Sequence, residues 1–308
     1  MQAAARSHAC SAAIPEGRRS LILAVASGKG GTGKTTVAVN LARVLSTPVQ
    51  LFDCDVEEPN VHLFLKGTAR GEDVVTIPVP EVDESLCDAC GECSRFCQYH
   101  ALVSFGTKPL FFPEMCHGCG GCTKVCPKKA IREQGRRIGV VETMQAGNIT
   151  LVTGRLDVGV AMAPPLVRAV KTRLLENTTA ILDAPPGTSC PVIAAIRGAD
   201  FVVLVTEPTP FGLHDLKLAA GMVREIGIPF GVVINRVGVG DDRVHVFCRE
   251  QNIPVLLEVP DDRRIAEAYS RGELVVEALP EYRGHFLRLW KRITTIQNTA
   301  KEAVHANV

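Results

Sequence analysis

A chain of 308 residues is long enough for one large domain or two smaller ones, and a hydrophobic content of 46% supplies a sizeable core. A formal charge of +1 excludes a global basic field for nucleic acid, and 5% aromatic residues exclude a base-stacking surface. No apolar run reaches the roughly 18 residues of a membrane-spanning helix, so neither a nucleic-acid nor a membrane partner is expected and a cytoplasmic location is.

The first 20 residues, MQAAARSHACSAAIPEGRRS, lack the apolar stretch of a secretory signal and read as a flexible tail. Residues 21–26 (LILAVA) are the first candidate strand, and SGKGGTGKTT at 27–36 follows directly. Gly28-Lys29-Gly30-Gly31-Thr32-Gly33-Lys34-Thr35 fits G-x-x-x-x-G-K-[ST], a phosphate-binding loop leading into a helix expected over 34–46. Glycines let the backbone curl its N–H groups around phosphate oxygens, and the helix starting near Gly33 points its positive end at them. Lys34 is placed to reach the β- and γ-phosphates and Thr35 to hold Mg2+, with Thr36 beside it. Such a loop needs one lysine; Lys29 is a second.

Further apolar runs at 49–53 (VQLFD), 180–183 (AILD), 201–206 (FVVLVT), 230–235 (FGVVIN) and 255–259 (VLLEV) read as strands. Helical patterns at 165–176, 191–197, 212–226, 242–251 and 262–271 lie between them. Continuous apolar strands suit burial on both faces, so the alternation implies an α/β fold, doubly wound around a mainly parallel sheet.

Residues 81–138 break that rhythm, being rich in Cys, Gly and Pro. Cys87-x2-Cys90-x2-Cys93-x3-Cys97 is followed by Cys116-x2-Cys119-x2-Cys122-x3-Cys126-Pro127. Two such runs are the bacterial ferredoxin signature for two [4Fe–4S] clusters, in which the fourth Cys of each run serves the other cluster. The expected ligand sets are therefore Cys87, Cys90, Cys93 and Cys126 for one, and Cys116, Cys119, Cys122 and Cys97 for the other. Soft thiolates suit iron–sulfur centres; C-x2-C pairs also bind zinc, which is the alternative. Twelve cysteines in a chain without an export signal point to metal ligation rather than disulfides. The segment reads as a small ferredoxin-like domain, folded by metal and inserted into a phosphate-loop α/β domain made of 21–80 and 139–308. Gln98 stands where Pro often follows the fourth Cys. Gly91, Gly118, Gly120 and Gly121 let backbone amides approach the sulfurs. His100 and His117 read as surface or packing residues.

The early lysine gives the loop the form K-G-G-x-G-K-[ST]. In this the sequence resembles the deviant phosphate loop of the MinD/ParA/Mrp superfamily, which also contains the nitrogenase iron protein. The resemblance covers about 21–80 and 140–280, and implies a P-loop ATPase that works as a homodimer or a paralogue heterodimer. Lys29 then crosses to the partner's nucleotide. FDCDVEEPNVH (52–62) looks like switch I, with Asp55 orienting the attacking water and Asp53 near Mg2+. ILDAPPG (181–187) resembles switch II, with Asp183 holding Mg2+ through water and Gly187 touching the γ-phosphate. VINRVG (233–238) places Asn235 and Arg236 at the adenine, and VPDD (259–262) adds Pro260 and Asp261. The implied catalytic set is Lys29, Lys34, Asp55 and Asp183; the implied cofactors are ATP/ADP and Mg2+ beside the two clusters.

Cys190 follows the switch II acid closely, as a cluster-ligating Cys does in the nitrogenase iron protein; it is either a redox-sensitive thiol or a small apolar residue at a helix start. Cys54 is expected to pack inward, and Cys10 and Cys248 carry no motif. The paired C-x-x-C of Mrp-type carriers is absent. A last helix over 285–304 aligns Phe286, Leu289, Trp290, Ile293 and Ile296 in a stripe, read as packing on the sheet rather than on a membrane. The first functional expectation is an Mg-ATP-hydrolysing dimer that couples hydrolysis to electron transfer through two [4Fe–4S] clusters, toward a redox partner. One alternative is an Mrp-like iron–sulfur or metallocofactor assembly ATPase with an assembly partner. The other is a MinD/ParA-like positioning or regulatory switch with structural or sensory clusters.

Overall fold

The computed structural model describes residues 21–106 and 108–305, so the expected tail over 1–20, with Cys10, lies outside the described residues. Strand β1 (Ile22–Ala26) runs through the glycine loop into α1 (Lys34–Val44) and on to β2 (Val49–Asp53). A long β3 (Thr68–Val82) then leads to a small unit of α2 (Glu92–Phe96), β4 (Leu102–Val103), β5 (Leu110–Phe111) and α3 (Gly121–Val125). The chain returns along β6 (Ile131–Ala146), which pairs antiparallel with β3 from Val82↔Ile131 to Thr68↔Gln145, and turns into β7 (Ile149–Leu156). Next come α4 (Ala163–Lys171), β8 (Thr179–Asp183), α5 (Cys190–Ile196), β9 (Phe201–Thr206) and α6 (Pro210–Ile226). The chain closes with β10 (Phe230–Val237), α7 (Arg243–Glu250), β11 (Val255–Pro260), α8 (Arg263–Ser270), α9 (Val275–Ala278) and α10 (Arg283–His305).

These strands form one nine-stranded sheet in the order β11-β10-β9-β1-β8-β2-β7-β6-β3. Every pairing from β11 to β7 is parallel; only β6 and β3 are antiparallel additions. The six strands expected from apolar runs all form, and they occupy the parallel part of the sheet. Strands β3, β6 and β7 add to them. β3 reads TARGEDVVTIPVPEV, is exposed over its first half, and is an edge strand. An edge tolerates charges and the prolines 78 and 80 because its outer side needs no ladder donor, and that composition hides it from an apolar-run search.

Helices cover both faces. α1, α9 and α10 bury one side, with Leu23, Val25, Leu41, Phe286, Leu289 and Ile293 in a common core. Val167, Val192, Ala219 and Val244 of α4 to α7 bury the other with Phe52, Leu182 and Val202. The stripe on α10 is thus used inside the molecule: Phe286, Leu289 and Ile293 are buried and Trp290 and Ile296 pack against them. Among the described residues no helix is long and apolar enough to cross a membrane.

Lys171 fastens α4 to α5. Its ammonium donates to the carbonyls of Ala194 (3.0 Å), Ala195 (2.8 Å) and Arg197 (2.5 Å), the otherwise unpaired acceptors at the end of α5. Burial holds this ammonium below its usual pKa. Replacing it by an isosteric apolar chain, Lys171→Met, leaves those carbonyls without their donor and should cost about 1–3 kcal/mol. Denaturant unfolding measures this; a midpoint equal to that of the unaltered chain would show that the clamp carries no net stability.

Candidate functional site

The phosphate loop joins β1 to α1 at the carboxyl end of the sheet. Gly31 (φ 76°) and Gly33 (φ 92°) take left-handed backbone, which favours glycine. Gly28 lies so close to Asp215 that a Cβ would sit 2.3 Å from its carbonyl oxygen. The Asn235 side chain donates to Thr32 O at 2.9 Å, tying the loop after β10 to the phosphate loop. Lys34 is buried, and the Thr35 hydroxyl donates to Asp183 Oδ2 at 2.7 Å.

Asp53 and Asp183 face one another in register at the ends of β2 and β8, and both are buried. Asp53 accepts from the amides of Asp55 (3.2 Å), Asn60 (2.9 Å) and Val61 (3.0 Å), so its carboxylate shapes the 54–61 loop. Asp183 Oδ1 is buried without a partner. An orphaned carboxylate oxygen next to a Thr hydroxyl is an oxygen-donor set that suits Mg2+; Thr35 and Asp183 fit the ion, while Asp53 is committed to backbone. Burial and the neighbouring carboxylate push both aspartates up from the ordinary range. Asp55 is pushed up to about 6, mainly by burial, with the Lys34 charge opposing.

A cavity of about 490 Å3 opens beside the loop. Gly30, Gly31, Gly33, Lys34, Thr35, Thr36, Asp55, Asn235, Arg236, Pro260 and Asp261 line it, so the structure brings most of the expected nucleotide residues together. Gly28, Thr32, Asp183 and Gly187 adjoin that lining along the chain or through Thr35, and Gly187 donates its N–H to Ser27 O at 3.0 Å. Pro186 of the ILDAPPG segment also lines it, as do Arg263, Ile265, Ala266 and Tyr269 along α8, and these α8 residues carry no local signal in the sequence. Lys29 points elsewhere, with Nζ 3.4 Å from Glu207 Oε2. Glu207, directly after β9, was not among the expected residues.

The cysteine unit repeats one local design. Gly91 (φ 78°) and Gly120 (φ 68°) start α2 and α3 in left-handed backbone, and Cys97 and Cys126 end them in extended backbone. Gly121 accommodates the Phe96 ring, whose Cε1 would be 2.0 Å from an added Cβ, which locks the two helices together. Cys87, Cys90, Cys93 and Cys126 line one cavity. Cys97, Cys116, Cys119 and Cys122 line a second. All eight thiols are free of disulfides. Among the described residues no three His, Cys, Asp or Glu side chains converge closely enough for a single metal ion. Each cavity is lined by four soft thiol donors, a donor set that fits an iron–sulfur cluster. Ala130 N donates to Cys126 Sγ at 3.3 Å, a contact of the kind that tunes such sulfurs. Without metal, burial raises the Cys93 and Cys116 thiols and pushes Cys122 to about 11. His117 stacks on Tyr99 at 3.6 Å between centroids, and His100 is exposed at the turn after Cys97.

Of the remaining cysteines, Cys54 is fully buried and its thiol is held protonated by burial; burial also pushes Cys248 to about 11. Cys190 is exposed at the first position of α5.

Residues 23–275 match the family described as the CobQ/CobB/MinD/ParA nucleotide binding domain. An uncharacterized protein of Methanocaldococcus jannaschii is 33% identical over 262 residues, spanning 82% of this chain and 90% of that protein. An iron–sulfur cluster carrier protein of Aquifex aeolicus is 26% identical over 284 residues, spanning 84% of this chain and 63% of the carrier. Among solved structures, the septum site-determining protein MinD of Pyrococcus horikoshii, complexed with Mg-ADP, shares the fold. Its TM-score is 0.54 at 22% identity, with 89% of this chain and 96% of that one covered.

The aspartate trio makes stability depend on pH. Folded-state values above the ordinary 3.8 mean that the folded chain binds more protons than the unfolded one above that pH. This contribution is fully present at low pH and is lost as pH rises through about 6, where Asp55 titrates, and further for the buried pair. The metal-free, nucleotide-free chain should therefore melt at falling temperature from about pH 5 to about pH 8. Mg2+ with nucleotide should flatten the slope by favouring the carboxylates. Asp183→Asn should raise the neutral-pH melting temperature of the metal-free chain and abolish the gain from Mg2+. A variant profile parallel to that of the unaltered chain would place the slope elsewhere.

Proposed function

We propose that this chain, which belongs to the CobQ/CobB/MinD/ParA nucleotide-binding family and is a P-loop ATPase, drives iron–sulfur or metallocofactor assembly in the cytoplasm. The observation that carries this reading is the union of two sites on one sheet. A phosphate loop lies at the ends of β1 and β8, and two rings of four thiols lie at the far end of the β3–β6 ribbon. The likeness to an iron–sulfur cluster carrier supports the same reading.

In this proposal Lys34 neutralises the phosphates, and Thr35 and Asp183 Oδ1 hold Mg2+. Asp55, in the cavity wall with a raised pKa near 6, orients the attacking water and takes up its proton. Asn235, Arg236, Pro260 and Asp261 face the base, and Gly187 faces the γ-phosphate. Lys29 serves the nucleotide of a second copy, or of a paralogue, so hydrolysis requires a closed pair. Cys87, Cys90, Cys93 and Cys126 hold one [4Fe–4S] cluster and Cys97, Cys116, Cys119 and Cys122 the other. Bound there, the clusters supply one-electron chemistry at the ribbon's end. A protein client docks on this unit.

A second reading, ATP-gated electron transfer through the two clusters to a redox partner, is favoured by one observation. Outside the rings only Cys10, Cys54, Cys190 and Cys248 remain, and none forms a C-x-x-C pair from which a cluster would be handed on. Anaerobic purification should give brown protein with about eight iron atoms per chain. Mixed with an apo-ferredoxin acceptor and Mg-ATP, the assembly reading expects iron to appear in the acceptor at least about tenfold faster than with Lys29→Ala. Iron that stays in place while nucleotide alters the rate of cluster reduction would put the electron-transfer reading in its stead. Colourless, zinc-filled protein would end both.

A further inference from the structure

We propose that Glu207 is a latch for Lys29. It holds the lysine on its own molecule and yields it only when the triphosphate of a second copy comes within reach. The inference rests on the reading of Lys29 given above and adds the residue that controls it.

Topology brings the parts together. β1, β9 and β10 are neighbours in the parallel sheet, with Ala26 opposite Leu204 and Thr206 opposite Ile234. Lys29, Glu207 and Arg236 all lie at the carboxyl end of these strands. The Glu207 carboxylate meets both cations: Lys29 Nζ is 3.4 Å from Oε2, and Arg236 Nη1 is 3.0 Å from Oε1.

The acid is the fixed member of the trio. Its side chain is 11% exposed, against 34% for Lys29 and 53% for Arg236. Glu207 O accepts from Thr209 N at 2.8 Å, and Gly212 lies so close that a Cβ would be 2.2 Å from that oxygen. The next residue, Pro208, accepts from Asp241 N at 3.0 Å. The backbone of Lys29 is also held, since the Ser27 hydroxyl donates to Lys29 O at 2.5 Å. What remains free to swing is the lysine side chain.

Two features make this pair a switch rather than a staple. A partly exposed ion pair is weak and screened by salt, so a multiply charged phosphate chain outcompetes one carboxylate. Arg236 stays behind when Lys29 leaves, so the nearly buried carboxylate is not stranded without a cation. A γ-phosphate adds charge that ADP lacks, so release follows the triphosphate. Arg236 also lines the nucleotide cavity, which brings the chain's own nucleotide into contact with the latch.

The test is self-association by sedimentation velocity with Mg-ADP and with a slowly hydrolysed ATP analogue. It compares the unaltered chain, Glu207→Gln, Lys29→Ala and the double variant. Glu207→Gln should tighten the analogue-bound dimer by about three- to tenfold, and rising salt should close that gap. It should also give measurable dimer with ADP. Lys29→Ala and the double variant should both stay monomeric. Association unchanged or weakened by Glu207→Gln, with Lys29→Ala still monomeric, overturns the latch and leaves the reading of Lys29 intact. A Lys29→Ala chain that pairs normally overturns that reading itself. Should Glu207→Gln fail to fold, Lys29 acylation in the unaltered ADP-bound chain decides. Protection relative to exposed Lys291 that salt removes supports the latch, and equal reactivity sinks it.

Discussion

Two aspartates at the ends of adjacent strands, in register and inside an apolar wall, set the terms for the rest of the nucleotide site. Like charges in that position are costly unless something neutralises or solvates them. Asp53 is solvated by three amides of the loop it shapes. Asp183 has the Thr35 hydroxyl and the nearby Lys34 charge, and still keeps one oxygen without a partner. A site left this short of positive charge gains more from Mg2+ and nucleotide than a satisfied one would, because binding relieves a cost already present in the fold. The same constraint keeps Asp55 half-buried at the cavity wall, where a value near 6 suits proton uptake close to neutral pH.

How much of this is legible in the sequence depends on whether the deciding interaction is local. The parallel strands other than β7 are legible because each is a short apolar run closed by turn residues, and burial on both faces writes that pattern directly. The phosphate loop and both cysteine runs are legible because backbone curvature and ligand spacing are set within about ten residues. β3 and β6 are not: their charges and prolines suit an exposed ribbon, and only the partner strand makes them strands. Asn235 is found where expected along the chain, yet its amide reaches the phosphate loop because Gly33 leaves no side chain in the way. Glu207 is the clearest case. Nothing in FVVLVTEPTP distinguishes that acid, and its contact with Lys29 exists because β9 lies beside β1 in the sheet.

The same non-local packing joins the nucleotide site to the thiol rings. β7 pairs with β2, which ends at Asp53, and with β6, which leads to the rings. At its end Leu156 donates to Val56 O at 2.8 Å, and Gly154 leaves room for the Val56 methyls, where a Cβ would be 2.5 Å away. The residue after Asp55 is therefore seated on the strand that borders the ribbon. From the other side, α5 follows the Asp183 loop and is clamped by Lys171 to α4, whose Leu166 rests on Gly139 of β6. Both acid-bearing loops thus bear on the same pair of strands. Close-packed elements do not absorb a shift smoothly; they move between discrete fits. The ribbon has its own place to yield, the register shift at Val75/Thr76, where β3 and β6 leave the sheet body toward the cysteines. A change at Val56 that β7 cannot absorb has that point as its outlet, and it lies on the way to the two sets of thiols.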